Sequence, residues 1–179
     1  MENYIINGRI DVGLCDLIIE NYEDNFNKHS HYDKTRGYHR ISNRQMNPLL
    51  MKQYIKELIT MEGRYRDTFP HINQGTKWGI TSPFNIQKYD PGEAYNPIHI
   101  ECGGPRKDKM VRILAFTTYL NSIETGGETE FINQNIKVHP IKGNTILWPA
   151  GWTHPHRGIP APNETKYIVT GWFSYHHRC

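Results

Sequence analysis

The alternation of hydrophobic and polar positions predicts two helices in the first part of the chain. After the acidic residue Asp11, apolar residues recur at helical spacing and predict a first helix over residues 11–22. A second helix is predicted to begin at Asn47-Pro48, where proline suits the first helical turn, and to run to about Tyr65. The apolar stripes that define these two helices are Leu14, Leu17, Ile18 and Tyr22, and then Leu50, Met51, Tyr54, Ile55, Leu58, Ile59 and Met61.

From residue 76 onward the pattern changes to short β-strands separated by Gly, Pro and Asn. Six strands are predicted, at 76–89, 97–102, 111–120, 129–138, 144–148 and 166–175, and residues 37–41 are a further short candidate. The 111–120 segment is apolar on both faces, which indicates a central strand. Residues 151–160 are too rich in Gly and Pro for regular structure. We therefore predict a mainly β fold, a jelly-roll (double-stranded β-helix) core supported by N-terminal helices.

Length and composition favour a single intracellular globular domain. The 179 residues fit one domain, with helical support over about 1–75 and the jelly-roll core over about 76–179. A net charge of +3 without a block of like charges does not favour a nucleic-acid partner. No apolar run is long enough for a membrane span, and the N-terminus lacks a signal-peptide pattern, so a cytoplasmic protein without a membrane partner is expected. Cys15, Cys102 and Cys179 are predicted to be free thiols.

Candidate chemistry begins with His99 and Glu101, which lie two residues apart in a predicted strand. In an extended segment they point to the same side of a sheet, so an imidazole and a carboxylate lie next to each other. His156, in the Gly- and Pro-rich segment, offers a third ligand. Two histidines and one carboxylate on one face of a metal are the ligand set of non-haem Fe(II) oxygenases. A solvated strand face and a surface histidine beside prolines are the alternatives.

A second candidate is Lys166, which opens a strand whose alternate residues Ile168, Thr170 and Trp172 share its face. A lysine on an apolar strand is often placed at a sheet edge, where its ammonium stays in water. If that face instead lines a pocket, the buried ammonium needs an anionic partner. Another basic segment, with Arg106, Lys107 and Lys109, is either part of the entrance or a solvated loop.

From about Tyr89 to Trp172 the chain resembles the Fe(II)- and 2-oxoglutarate-dependent dioxygenases of the prolyl 4-hydroxylase-like branch. The resemblance rests on the order and spacing of several motifs, while the part before residue 80 matches only in outline. In chain order these motifs are Tyr89-x-Pro-Gly-x-x-Tyr95, His99-x-Glu101, Tyr119-Leu120-Asn121, Gly126-Gly127-x-Thr129-x-Phe131, Pro140-x-x-Gly143-Asn144, Leu147-Trp148-Pro149, His156-x-Gly158-x-Pro160, Lys166 and Trp172.

The resemblance implies a role for each matching residue. His99, Glu101 and His156 correspond to the iron ligands, and His156 rather than His154 holds the family position. Lys166 corresponds to the residue that binds the distal carboxylate of 2-oxoglutarate, and the further cosubstrate and pocket residues are Tyr119, Tyr89, Thr129 and Trp172. Two departures stand out. The carboxylate is Glu101 where Asp is usual, and the anchor is Lys166 rather than Arg, a point charge in place of a bidentate fork.

The implied activity is hydroxylation of a carbon atom with release of succinate and CO2. Fe(II), 2-oxoglutarate and O2 are the implied cofactor and cosubstrates, and ascorbate is an optional reductant. The implied substrate is a prolyl or other side chain of a peptide or protein, and a small-molecule substrate stays open. The competing hypothesis is a jelly-roll module that binds a metal or ligand without catalysis. The sequence does not define an oligomeric state.

Overall fold

The computed structural model describes residues 2–103 and 111–176, which form two α-helices and eleven β-strands. The mainly β composition with helices near the N-terminus is as predicted. The helices are α1 (Val12–His29) and α2 (Pro48–Thr68). The strands are β1 (Ile6–Arg9), β2 (His31–Asp33), β3 (Tyr38–Ser42), β4 (Trp78–Gly79), β5 (Asn85–Tyr89), β6 (Arg112–Tyr119), β7 (Thr129–Phe131), β8 (Ile136–Val138), β9 (Asn144–Pro149), β10 (His156–Gly158) and β11 (Lys166–Tyr175).

Both predicted helices are present, and both extend further than the sequence pattern indicated. The Asp11 carboxylate caps α1 by accepting a hydrogen bond from the Leu14 amide at 2.8 Å. The helix continues past Tyr22 because Phe26, four residues on, packs against the same core. Asn47 caps α2 in the same way, with proline in the first turn. This helix ends at Thr68, since the residue before a proline, here Phe69, is disfavoured in helical conformation.

The larger sheet carries the face on which the site is built. In the described part of the chain it has eight strands, in the order β1-β9-β6-β11-β5-β3-β2, with β4 beside β11. All its pairings are antiparallel, and β6 lies between β9 and β11, which confirms the predicted central strand. The segment of residues 37–41 forms strand β3, as the weaker pattern suggested. Strands β1 and β2 were not predicted, because each is short and mixed in polarity.

Other strands also differ from the prediction, and the predicted strand over 76–89 is two short strands, β4 and β5, in the larger sheet. The smaller sheet and the segment beside it differ in three further places. Its strand order is β10-β7-β8 within the described residues. The predicted strand over 129–138 is two strands, β7 and β8, joined by a turn in which Asn135 has a φ of 53°. Residues 156–158, predicted as irregular, form β10. The predicted strand over 97–102 is wrong, since this segment contacts β10 through one isolated bridge, between His99 and His156.

The helices and the smaller sheet lie on opposite faces of the larger sheet. One hydrophobic cluster joins the helices to the outer face, with Tyr54 and Leu58 in contact with the group that includes Phe116 and Val169. A second cluster joins the inner face to the smaller sheet through Phe131 and Val138. The space between the two sheets is only partly filled, and the unfilled part is the candidate site.

Three further features complete the description of the fold. Neither helix in the described ranges has the length and apolar character of a membrane span. Cys15 is a free thiol, as predicted. Cys179 and the basic segment of Arg106, Lys107 and Lys109 lie outside the described residues.

Candidate active site

The candidate site is a cavity of about 520 Å³ between the two sheets. Its floor is the inner face of the larger sheet, where side chains two apart along each strand point into the same space. All eight residues proposed from the sequence line this cavity: His99, Glu101, His156, Lys166, Tyr119, Tyr89, Thr129 and Trp172. The prediction that Lys166, Ile168, Thr170 and Trp172 share a face is confirmed, since all four line the cavity.

Three side chains meet at one end of the cavity in the arrangement of a potential metal site. One ligand atom each of His99, Glu101 and His156 lies within 4.8 Å of the other two. Glu101 Oε1 is 3.4 Å from His99 Nε2 and 3.5 Å from His156 Nε2. Two neutral imidazole nitrogens and one carboxylate oxygen suit a divalent transition metal, and a facial set of three leaves further positions open. The donor set therefore fits Fe(II).

Backbone contacts explain how residues far apart in sequence reach this geometry. The amides and carbonyls of His99 and His156 exchange two hydrogen bonds of 3.0 Å, which fixes the two segments side by side. The Ala150 carbonyl accepts from both the Glu101 and Cys102 amides, so the chain bends at Glu101 instead of continuing as a strand. This bend, and not a regular strand, directs the carboxylate into the cavity.

The two histidines present their Nε2 atoms to the common centre because their Nδ1 atoms are already engaged. His99 Nδ1 lies 2.9 Å from the Pro97 carbonyl, and His156 Nδ1 lies 3.0 Å from the His154 carbonyl. A carbonyl only accepts, so each Nδ1 carries the proton and each Nε2 keeps a lone pair for a metal. His154 is directed elsewhere: its Nε2 donates to the Asn3 carbonyl at 2.8 Å.

The second oxygen of Glu101 is held by two side chains from the larger sheet. Trp172 Nε1 donates to Glu101 Oε2 at 2.8 Å, and Arg112 Nη1 contacts the same oxygen at 3.3 Å. The Arg112 guanidinium also stacks on the Trp172 ring, 3.5 Å from its centroid. Burial alone would raise the pKa of Glu101, but its contacts with His156 and His99 bring that pKa well below its ordinary value. The carboxylate is therefore ionised at neutral pH.

Lys166 is the buried cation of the site. Its side chain is on β11, and the whole residue is 4% exposed. Its Nζ donates to the Gly127 carbonyl at 3.1 Å and lies 4.9 Å from the centroid of the Tyr89 ring. Within the described ranges no carboxylate forms an ion pair with it, and burial lowers the pKa of its ammonium to about 8. A buried ammonium of this kind fits the distal carboxylate of 2-oxoglutarate.

Hydroxyl groups surround the same end of the cavity. Tyr119 donates to Thr129 Oγ1 at 2.6 Å, which joins β6 to β7. Tyr89 donates to Gln87 Oε1 at 2.8 Å and packs its ring against Tyr38, with ring centroids 5.2 Å apart. Burial raises the pKa of Tyr119 and of Tyr89 above the ordinary value, so both keep their protons at neutral pH.

Sequence reasoning missed several residues that line the cavity, above all Arg112, Arg40 and Gln87. The sequence pattern around Arg112 could have identified it as a cavity residue. It is a charge at the start of an apolar strand, the same feature that made Lys166 a candidate, and its side chain is 8% exposed. Arg40 and Gln87 lie on strands too short or too irregular in polarity for their inward face to be recognised.

Comparison with known proteins gives a consistent result. Residues 84–174 match the family model of the 2OG-Fe(II) oxygenase superfamily. Probable prolyl 4-hydroxylase 9 of Arabidopsis thaliana is 30% identical over an alignment of 114 residues, and the match covers 50% of this chain and 39% of the relative. A putative prolyl 4-hydroxylase of Acanthamoeba polyphaga mimivirus is 29% identical over an alignment of 103 residues, and the match covers 49% of this chain and 43% of the relative. The chain thus spans less than half the length of these curated relatives.

Solved structures share the fold over nearly the whole chain. A Pseudomonas putida prolyl-4-hydroxylase superposes with a TM-score of 0.75 at 17% identity, over 98% of this chain and 94% of that one. The viral collagen prolyl hydroxylase of Paramecium Bursaria Chlorella virus-1, in its 2OG complex, gives 0.73 at 18% identity, over 97% of both chains. A Trichoplax adhaerens prolyl hydroxylase in complex with a hypoxia inducible factor peptide fragment gives 0.70 at 17%, over 97% of this chain and 84% of that one. The jelly-roll prediction is confirmed.

Proposed function

The chain belongs to the 2OG-Fe(II) oxygenase superfamily, and we propose that it hydroxylates a carbon atom of a peptide or protein, with a prolyl side chain as the target. The observation that supports this most directly is the meeting of His99, Glu101 and His156 in the cavity that also contains the buried ammonium of Lys166. Fe(II), 2-oxoglutarate and O2 are the cofactor and cosubstrates of this family.

The three converging side chains would hold the metal. His99 and His156 would bind through Nε2 and Glu101 through Oε1, since their other polar atoms are engaged by backbone carbonyls, Trp172 and Arg112. Such outer partners fix the orientation of ligands and increase the affinity for metal. In this chain they also hold the longer side chain of Glu101, which replaces the usual Asp, at its second carboxylate oxygen.

Lys166 would hold the distal carboxylate of 2-oxoglutarate. Tyr119 and Thr129 are hydrogen-bonded to each other and line the same cavity, where their hydroxyl groups could share that carboxylate. Tyr89 and Trp172 contribute aromatic walls that exclude water. When bound, Fe(II) with 2-oxoglutarate and O2 supplies the oxidation that inserts one oxygen atom into a C–H bond and releases succinate and CO2. The protein's residues bind, orient and shield these groups.

The choice of a prolyl side chain draws on the relatives. The curated relatives are named prolyl 4-hydroxylases, and one of the structural neighbours is in complex with a peptide fragment. The cavity of about 520 Å³ is in the range of sites that accept ligands larger than a small diacid. It therefore has room for part of a peptide beside 2-oxoglutarate.

Turnover of 2-oxoglutarate tests the proposed activity. The full chain with Fe(II), 2-oxoglutarate and O2 should release succinate, and a proline-containing peptide should gain the mass of one oxygen atom. His99→Ala and His156→Ala should abolish succinate release, whereas His71→Ala, at an exposed histidine outside the cavity, should not. Metal binding without succinate release by the unmodified chain would contradict the proposal and favour a binding module.

A further inference from the structure

The cavity extends well beyond the candidate metal site, over a polar part of the larger sheet. Two inward-facing rows of paired residues, Ile168-Gln87-Arg40 and Thr170-Asn85-Ser42, continue from β11 across β5 to β3. We call the inward-facing residues on β3 and β5 the polar shelf, and it consists of Arg40, Ser42, Asn85 and Gln87. The inner face of a sheet covered by a second layer is normally apolar. A polar inner face that lines a cavity is therefore suited to a polar ligand.

Arg40 is the charged member of the shelf, and one of its guanidinium donors lacks a hydrogen-bond acceptor. Its Nε atom is buried and has no hydrogen-bond partner among the described residues. The other arginines at this end are paired: Arg36 lies 3.7 Å from Asp33, and Arg157 lies 2.6 Å from Glu130. Asp33 also lines the cavity, and its pKa is lowered, chiefly by its hydrogen bond from Thr35 and to a smaller extent by Arg36 and then Arg40. An arginine with a buried, unpaired donor fits a carboxylate ligand.

The shelf and the candidate metal site line the same cavity. Tyr95 links the two regions, since its ring is 4.5 Å from the His99 ring and 5.4 Å from the Arg36 guanidinium. Arg40 is paired with Gln87, and Gln87 with Ile168, so β3 is two strands from β11. Two strand spacings are about 10 Å across the sheet, and Trp172, which contacts Glu101, lies four residues beyond Ile168 on β11.

We infer that the polar shelf is a substrate subsite in which Arg40 binds the carboxylate of an acidic residue a few residues from the hydroxylated position. This deepens the proposed function and rests on it. The amide and hydroxyl groups of Gln87, Asn85 and Ser42 can donate to and accept from an extended peptide backbone. The subsite therefore selects an acidic peptide over a neutral one.

A peptide suits the shelf better than a small free acid. The polar groups are distributed along two strands and across a distance of several residues, whereas a small acid would need them grouped around one point. The shelf presents amide and hydroxyl groups along with its one charge, as required for a main chain that carries a single acidic side chain.

Peptide binding tests the subsite directly. The probe is a labelled peptide of alanine and glycine with one central proline, compared with versions that carry one glutamate within about four residues on either side. Fluorescence anisotropy with the full chain, Fe(II) and 2-oxoglutarate, without O2, gives the dissociation constants. At one position or more, glutamate should tighten binding about tenfold. Arg40→Met should bring the ratio of neutral to acidic dissociation constants close to one.

Arg44→Met is the matched control, because it removes the same charge from an exposed residue that does not line the cavity. This variant should keep the wild-type ratio. The inference is wrong if no glutamate position tightens binding, if no peptide binds, or if both variants lower the ratio equally. Displacement of the neutral peptide by free glutamate as effectively as by the acidic peptide would also overturn it, since the ligand would then be a small acid.

The two proposals fail in different ways. If the chain releases succinate and hydroxylates proline equally well in neutral and acidic peptides, the proposed function stands and the subsite is wrong. If acidic peptides bind through Arg40 but no succinate is released, the subsite stands and the proposed function is wrong.

Discussion

At the scale of single residues, the two oxygens of Glu101 have separate partners. Oε1 faces the two histidines, at 3.4 and 3.5 Å, and Oε2 accepts a hydrogen bond from Trp172 at 2.8 Å. A glutamate has one more rotatable bond than an aspartate, so more conformational entropy is lost when it is fixed at a metal. The contacts of Oε2 already hold the side chain in one conformation in the metal-free protein. Less conformational entropy is therefore lost when the metal binds.

Trp172→Phe should therefore weaken metal binding by about tenfold, the lower end of the range for outer partners of ligands. Phenylalanine keeps an aromatic ring beside Arg112 but lacks the N–H donor. Titration with Co(II), followed by its absorption bands, measures the affinity without turnover. The free energy of unfolding of the metal-free protein should change little, which separates lost positioning from lost stability.

As a control, the effect of Trp172→Phe on the Co(II) affinity is also measured in the Glu101→Asp variant. The shorter carboxylate withdraws from Trp172 Nε1, so adding Trp172→Phe to it should change the Co(II) affinity by less than about twofold. Equal losses in both backgrounds would show that Trp172 acts on the metal site by another route.

At the scale of secondary-structure elements, β11 connects the core with the site. One of its faces presents Lys166, Thr170 and Trp172 to the cavity, and the other packs Val169 and Phe173 into the cluster under the helices. Gly171, between these residues, lies opposite Phe116 in the adjacent strand. A Cβ at this position would lie 2.5 Å from Phe84 Cβ and 2.7 Å from Phe116 Cζ. Glycine thus allows two aromatic rings to pack directly on the strand.

Gly171→Ala should lower the free energy of unfolding by about 1–3 kcal/mol, the usual cost of overpacking a core. Urea denaturation measures it. Gly63→Ala is the matched control, because Gly63 is in α2 and a Cβ there has no neighbour within 4 Å. That change should stabilise the protein by about 0.5–1 kcal/mol through helix propensity. Equal effects of both substitutions would contradict this account of the packing around β11.

Elements with a strong local pattern could be predicted from the sequence, and the connections between elements could not. The apolar stripe from Leu50 to Met61 and the alternation along β11 each have one structural interpretation. By contrast, the turn at residues 97–102 depends on the Ala150 carbonyl, nearly fifty residues away, which accepts from Glu101 and Cys102. A hydrogen bond between residues so far apart cannot be predicted from the local sequence pattern. For the same reason His99 and Glu101 were placed correctly in the cavity but on a strand that does not exist.

Residues whose signal is a charge in an apolar setting were predictable in principle. Lys166 was recognised in this way, and Arg112 was not, although its side chain is 8% exposed. The polar shelf gave no such signal, because polar residues on short strands normally face solvent. Only the pairing of β3 with β5 shows that Arg40 and Gln87 are on the inner face.

At the scale of the whole molecule, the buried ammonium of Lys166 favours binding of an anionic ligand but lowers the free energy of unfolding of the ligand-free protein. Burial lowers the pKa of its ammonium from 10.5 to about 8. At pH 7 the ammonium is charged in both the folded and the unfolded protein, and only the folded protein bears the cost of burying it. Between pH 8 and 10.5 the folded protein releases the proton while the unfolded protein keeps it. The unfolded state then binds more protons, so the free energy of unfolding rises with pH over this range.

Lys166→Met should consequently stabilise the ligand-free protein at pH 7 by about 2 kcal/mol, since each pKa unit is worth about 1.4 kcal/mol and the bond to the Gly127 carbonyl is lost. The gain should shrink towards pH 10, where the wild-type lysine is already neutral. The same substitution should abolish the stabilisation that 2-oxoglutarate gives to the Mn(II)-loaded wild-type protein. Urea denaturation at several pH values measures all three effects, with Lys52→Met, at an exposed position on α2, as the control. A gain independent of pH, or a loss at pH 7, would show that the Lys166 ammonium is not the destabilising group.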